Sequence, residues 1–442
     1  MSEASPEASP ASHDPFAALR YQNFVLYTGS RIFATVGMML LQAVMAWQVN
    51  QISGSASESA LNLGFLGLVR FLPALALSLV GGAAADVYNR RTIILFSQCA
   101  PLTVSLVLAT ATFGGWVSIP LIYGLVFFMG LAAAFEGPAR QALLPAIVPP
   151  QHFANAVTIG STTGSLGMVT GPALAGLVIA TLGTGAGYSA YAMIAAASTT
   201  LLVFLKYKPL PGGTRTVSIA MIREGIVFVR HRQVLLGAMT LDMFAVIFGG
   251  AQALLPIYAT RILKVGGAGY GVLFASIEAG AFLMSLILVF RRPVRDTGRV
   301  LLWAVLFFGL GTIVFGFSRS FPLSVAALMF LGAADMVSMV MRNTTIQLST
   351  PDELRGRVSA VASVFIGASN QLGAVESGVV AAFTNATFAV VSGGIGTLAV
   401  VGTIAATMPD LRRYRILRPG AQPAPAVTPQ ATAAAEATPG GS

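Results

Sequence analysis

The chain has 442 residues, of which 55% are hydrophobic and only 10% charged, with a mean hydropathy of +0.78 and a formal net charge of +10. That apolar share exceeds what a water-soluble globule of this length needs for its core, so lipid is the expected solvent. A single cysteine, Cys99, excludes an internal disulfide.

Residues 1–15 are polar, acidic and rich in Pro and Ser, without the basic start and apolar centre of a cleaved signal peptide, so a disordered tail is expected there. Runs of about 20 apolar residues, the length that crosses a hydrocarbon core as a helix, then follow. Six predicted spans (24–49, 60–84, 92–113, 118–135, 153–182 and 187–205) form an N-terminal bundle over 16–205. Residues 206–232 form the longest basic connection, in which 217–230 has the pattern of an amphipathic helix lying at the membrane interface. Six more spans (234–258, 270–290, 300–317, 322–341, 358–383 and 386–408) form a C-terminal bundle over 233–418. Residues 419–442, rich in Ala, Pro and Thr, read as a second disordered tail.

The basic residues orient this arrangement. Of 26 Lys and Arg, only Arg261, Lys264 and Arg319 fall in the connections on one side, while Arg31 and Arg70 lie inside spans. The remainder share the side of both termini, which the positive-inside rule assigns to the cytoplasm of a bacterial inner membrane. Topology therefore accounts for the charge, and no nucleic-acid partner is expected.

An internal repeat appears at an offset of 202 residues: Gly130 matches Gly332, Arg140 matches Arg342, Pro149 matches Pro351, Gly171 matches Gly373 and Gly176 matches Gly378. The two halves read as parallel repeats related by an axis along the membrane normal.

The connection after the second span, GGAAADVYNRR from Gly81 to Arg91, resembles the signature of the major facilitator superfamily, Gly-x-x-x-Asp-x-x-Gly-Arg-Arg. Gly82, Asp86, Arg90 and Arg91 match it; Val87 stands for a basic residue and Asn89 for a glycine, where Asn suits a left-handed turn. The resemblance implies an all-α membrane protein, twelve helices in two six-helix pseudo-repeats around a central cavity. It also implies a cytoplasmic gate: Gly82 lets the second span approach the other half, Asp86 faces the start of the eleventh span, and Arg90 pairs with Glu136.

The fifth span carries Gly167, Gly171, Pro172 and Gly176, which looks like the Gly-Pro signature of proton-coupled exporters in that superfamily; the same residues also serve close helix packing. The stretches 135–157 and 342–361 are similar to the branch holding enterobactin and macrolide-type efflux pumps and lysophospholipid transporters.

A charge inside a span costs several kcal/mol unless it is paired or hydrated. Arg31, Arg70, Asp242, Glu278, Asp335 and Glu376 lie within spans one, two, seven, eight, ten and eleven, which points to a water-filled cavity between the halves. Arg70, Asp242 and Glu278 fall mid-span, Arg31 and Asp335 nearer the cytoplasm, and Glu376 nearer the periplasm. A partner cation that moves changes how tightly a carboxylate holds its proton. Asp242 or Glu278 is thus a candidate coupling residue, with Arg70 or Arg31 as counter-charge or anion contact; a fixed ion pair bracing the bundle is the alternative.

His13, His152 and His231 all fall outside the spans, no phosphate-binding Gly-rich loop with Lys occurs, and no cluster of metal ligands is evident, so no cofactor or metal is expected and an enzyme is not indicated. The expectation is a secondary transporter, a monomer using the proton gradient to export an amphiphilic small molecule such as a siderophore or drug. Alternatives are a transporter of membrane lipid of the lysophospholipid type, and a non-transporting sensor or assembly partner.

Overall fold

Twelve helices in the computed structural model are long and apolar enough to cross a membrane. The structure describes residues 16–206, 219–291 and 294–415, and among these there is no strand. The spans are, in order, Gln22–Ile52, Ala56–Ala76 continued by Ser78–Val87, Arg90–Phe113, Ile119–Ile147, Phe153–Leu182 and Thr184–Phe204, then Gln233–Ile262, Gly266–Phe290, Thr297–Phe317, Phe321–Ser349, Asp352–Phe383 and Ala386–Thr407. Both expected tails lie outside the described residues, as do residues 207–218 of the expected linker, including the first two of its predicted helix. That helix runs Ile219–Arg230; Phe228 and Val229 pack on Leu235, Ile346 and Val358, and Glu224 forms an ion pair with Arg357.

Spans four and ten continue well past their expected ends, to Ile147 and Ser349, and span eleven starts six residues before its expected start, at Asp352. Apolar runs mark only the hydrocarbon-crossing part of a helix, and these three extend polar ends beyond it. Span two bends at Leu77, four residues after Pro73 removes a backbone donor. Asn89 departs from expectation: at φ −62° it is extended, and its side chain caps span three by accepting the Arg91 N–H at 3.0 Å.

Span seven is discontinuous. Its first helix ends at Phe248, Gly249 and Gly250 turn the chain, and a short 3-10 segment, Ala251–Leu254, leads into a π turn over Tyr258–Ile262. The glycines are required by close approach: an added Cβ on Gly250 would lie 2.6 Å from Ser377 Oγ and against the Gly373 carbonyl of span eleven.

The repeat glycines occupy equivalent contacts in the two halves. Gly130 of span four lies on span two, where an added Cβ would be 2.6 Å from Pro73 Cγ, and Gly332 of span ten lies on the Ile277 backbone of span eight. Gly171 of span five meets Val36 O of span one, while Gly373 of span eleven meets Val246 O of span seven. Gly176 and Gly378 instead cross between halves, to Gly271 of span eight and to Gly64 of span two. Small residues at these points let backbones touch, which is how helices associate where lipid supplies no hydrophobic drive.

Those cross-half contacts gather at the end of the bundle that carries few arginines. There Asn50 Nδ2 donates to Thr260 Oγ1 at 3.2 Å, and Tyr270 O–H donates to Ala43 O at 3.2 Å while its ring stacks on Trp47 at 5.3 Å. At the arginine-rich end, an added Cβ at Gly82 or Gly356 would meet nothing within 4 Å. The halves thus close at the arginine-poor end and separate toward the arginine-rich one.

Candidate transport cavity

Between the halves lies a cavity of about 560 Å³, a size typical of sites for drug-like molecules. Its walls are mainly apolar, with Leu63, Leu66 and Phe71 from one half and Phe274, Ile277 and Leu331 from the other. Two charged side chains line it: Arg70 of span two and Asp335 of span ten. Both sit near the middle of their spans, so Asp335 lies at the level of Arg70 rather than nearer the arginine-rich end as expected. Arg70 is positioned by Gly130, whose missing side chain lets span four rest on the Arg70 carbonyl. Its Nη2 contacts Met38 Sδ at 3.3 Å, and it has no carboxylate partner among the described residues.

Of the other charges in the spans, Asp242 with Arg342, and Glu278, lie electrostatically close to Asp335. Asp242 is removed from the cavity wall by an ion pair with Arg342, both side chains at most 7% exposed. This corrects two expectations, that Asp242 faces the cavity and that Arg342 is a connection-side, topology-setting arginine; span ten simply continues past the apolar run, carrying Arg342 into the bundle. Glu278 is half-buried on span eight, beside Ile277, which does line the cavity, and electrostatically close to Asp335. Glu376 lies toward the arginine-poor end and accepts from Ser377 Oγ at 3.3 Å. Arg31 is half-buried, with Nη1 3.0 Å from where a Cβ on Gly160 would sit, and makes no ion pair among the described residues.

Around the signature connection, Arg90 does not pair with Glu136. Arg90 Nη1 donates to Ala142 O at 2.9 Å and its Nε to Ala85 O at 3.3 Å, whereas Glu136 accepts from Arg140 Nε at 2.7 Å, one helical turn away. Proximity along one helix wins over a partner on another span. Arg91 Nε donates to Leu202 O at 2.8 Å, joining span three to span six. The Asp86 side chain lies outside the described residues, and Gly82 touches nothing in the other half. In span five, Gly167 and Gly171 face Thr35, Val36 and Met39 of span one, Pro172 is buried, and Gly176 meets Gly271.

The site includes residues that the charge pattern did not single out: Gln42, Gln252, Asn370 and Gln371 also line the cavity. Each is an amide inside an apolar run, a signal weaker than a charge but of the same kind.

A family model described as transmembrane secretion effector matches residues 13–423. The chain belongs to that family, within the major facilitator superfamily. It is a membrane transporter rather than an enzyme. It is 26% identical over 392 residues to the enterobactin exporter EntS of Escherichia coli O1:K1, covering 87% of this chain and 92% of that one, and equally to EntS of Escherichia fergusonii. Its fold is similar to that of a D-xylose-proton symporter, with a TM-score of 0.69 at 12% identity over 90% of this chain and all of that one. It is also similar to an inward-facing, unoccupied bacterial homolog of the human lysosomal transporter Spinster, with a TM-score of 0.63 at 15% identity, covering 89% and 96%.

Proposed function

We propose that this protein exports an amphiphilic, anionic small molecule from the bacterial cytoplasm by alternating access, coupled to inward proton movement. The observation that carries the reading is that Arg70 and Asp335, one from each half, both line a largely apolar cavity that opens at one end. The positive-inside rule makes the arginine-rich end cytoplasmic, so both termini are cytoplasmic and the cavity faces the cytoplasm, the loading side for an exporter. Resemblance to the enterobactin exporters supports the direction and a siderophore-like cargo.

The chemistry follows from the two charges. An anionic group of the cargo neutralises Arg70, since the one carboxylate that acts on it, Glu136, is held by Arg140, while the apolar walls take the cargo's hydrophobic body. Asp335, solvent-accessible in the cavity, is better suited to exchange a proton than Asp242, which is held by Arg342. Cargo on Arg70 or a proton on Asp335 each neutralises one half's charge on the cavity wall, so either ligand alone licenses the change of which end is open.

The test uses inside-out vesicles energised to acid interior and offered enterobactin. Uptake is expected, abolished by a protonophore, with Arg70→Gln raising KM and Asp335→Asn leaving only gradient-independent exchange. Uptake unchanged by protonophore and by Asp335→Asn would sink the coupling, and uptake of lysophospholipid instead would favour a lipid carrier.

A further inference from the structure

Two contrasting sets stand out among the glutamines within the spans. Gln48 accepts from Tyr188 O–H at 2.6 Å and donates to Thr112 Oγ1 at 2.6 Å; Gln98 accepts from Thr199 Oγ1 at 3.0 Å and donates to Ser198 Oγ at 3.3 Å. These buried amides are satisfied, as buried polar groups are expected to be. Gln42, Gln252 and Gln371 make no hydrogen bond to protein among the described residues, and all three line the cavity.

Their positions are built rather than incidental. Gln252 projects into the cavity because span seven unwinds at Gly249 and Gly250, which exposes irregular backbone at a depth where it is tolerated only beside a cavity. Gln371 lies with its Oε1 over Gly67, where no side chain intervenes. Gln42 projects from span one, three residues before the Met45 and Ala46 wall and five before Trp47. All three lie past the middle of their spans toward the closed end, beyond the level of Arg70 and Asp335.

We propose that Gln42, Gln252 and Gln371 form a hydrogen-bonding ceiling that recognises uncharged amide or hydroxyl groups of the cargo, separately from the charge recognition at Arg70 and Asp335. The inference rests on the cavity being the transport site. Side-chain amides both donate and accept without charge, so they favour a cargo whose far end carries neutral polar groups over one that is merely greasy. A cargo lacking such groups leaves these amides without partners once the cavity closes and water is expelled, and that penalty discriminates against it.

The experiment compares two isosteric monoanions on the purified full chain, benzoylglycine and 4-phenylbutanoate, which differ by an amide in place of two methylenes. Thermal stabilisation is followed against concentration. Benzoylglycine is expected to act at about five-fold lower concentration for each hydrogen bond made. Gln252→Met and Gln42→Met, which keep side-chain length, should erase that preference by weakening benzoylglycine and strengthening 4-phenylbutanoate. Arg70→Gln should weaken both probes equally. Equal action on the unmodified protein, stabilisation by neither probe, or a preference that survives both glutamine substitutions would overturn the ceiling; the comparison on the unmodified protein needs no variant to fold. If Arg70→Gln affects neither probe while the amide preference stands, the anion reading fails and the ceiling remains.

Discussion

Asp242 of span seven and Arg342 of span ten form an ion pair sealed inside the C-terminal half, each side chain exposed by 7% or less. Two charges at this depth are tolerated because each is the other's partner, and removing one strands the other in a medium of low dielectric.

Asp242→Asn should therefore lower stability by about 3–5 kcal/mol, the range for breaking a buried pair. Asp242→Leu combined with Arg342→Met should lose much less, because no charge is left alone. Melting temperatures in one detergent decide the matter: a double variant as unstable as the single would mean that the pair does not act as a brace.

The closed end offers a second test. Asn50 and Thr260 touch across the halves, so cysteines at both positions, in a Cys99→Ser background, should cross-link readily. Gly176→Val should lower the yield several-fold, since even a Cβ there would lie 2.5 Å from Gly271 Cα and must push spans five and eight apart. Unchanged cross-linking would show that this glycine contact does not hold the end shut.

Among the connection-side arginines, Arg91 should be set apart by structure. Its guanidinium bridges to the backbone of Leu202 and Val203, at the end of span six. Arg91→Ala should cost about 1.5–3 kcal/mol, the range for hydrogen bonds to a charged group. Arg412→Ala, at an exposed position without such bonds, should leave the melting temperature unchanged.

A split between stability and transport is expected at Gly82 and Gly356. Both face open space in this conformation, so Gly82→Leu and Gly356→Leu should fold with normal melting temperatures. If the halves meet here when the opposite end opens, vesicle transport by the same variants should fall sharply. Normal transport by both would remove these glycines from the gate.

Charge and hydropathy made the twelve spans and the two-half organisation legible, because crossing lipid imposes length and sidedness on any sequence. The repeat glycines were legible too, since their spacing is the packing itself. What sequence could not supply was rotation about each helix axis. Asp242 and Asp335 look alike as acids within spans, yet one faces Arg342 and the other the cavity. Arg90 likewise had two acceptor types within reach, and the backbone of span four outcompeted Glu136, which Arg140 already held. The unwinding of span seven leaves no mark in the sequence pattern, because Gly249 and Gly250 are common residues in a run that is otherwise apolar.

That unwinding bears on how the protein is made. The first helix of span seven, Gln233–Phe248, has 16 residues, about 24 Å of helix against a hydrocarbon layer of about 30 Å. Left to itself it is too short to hold a transmembrane position, and the backbone released at Gly249 and Gly250 would meet lipid. Its neighbours there, Gly373 of span eleven and Gly393 of span twelve, are made well after span seven itself. The C-terminal half is therefore expected to complete itself only once spans eleven and twelve have entered the membrane, with span seven waiting for them to cover its break.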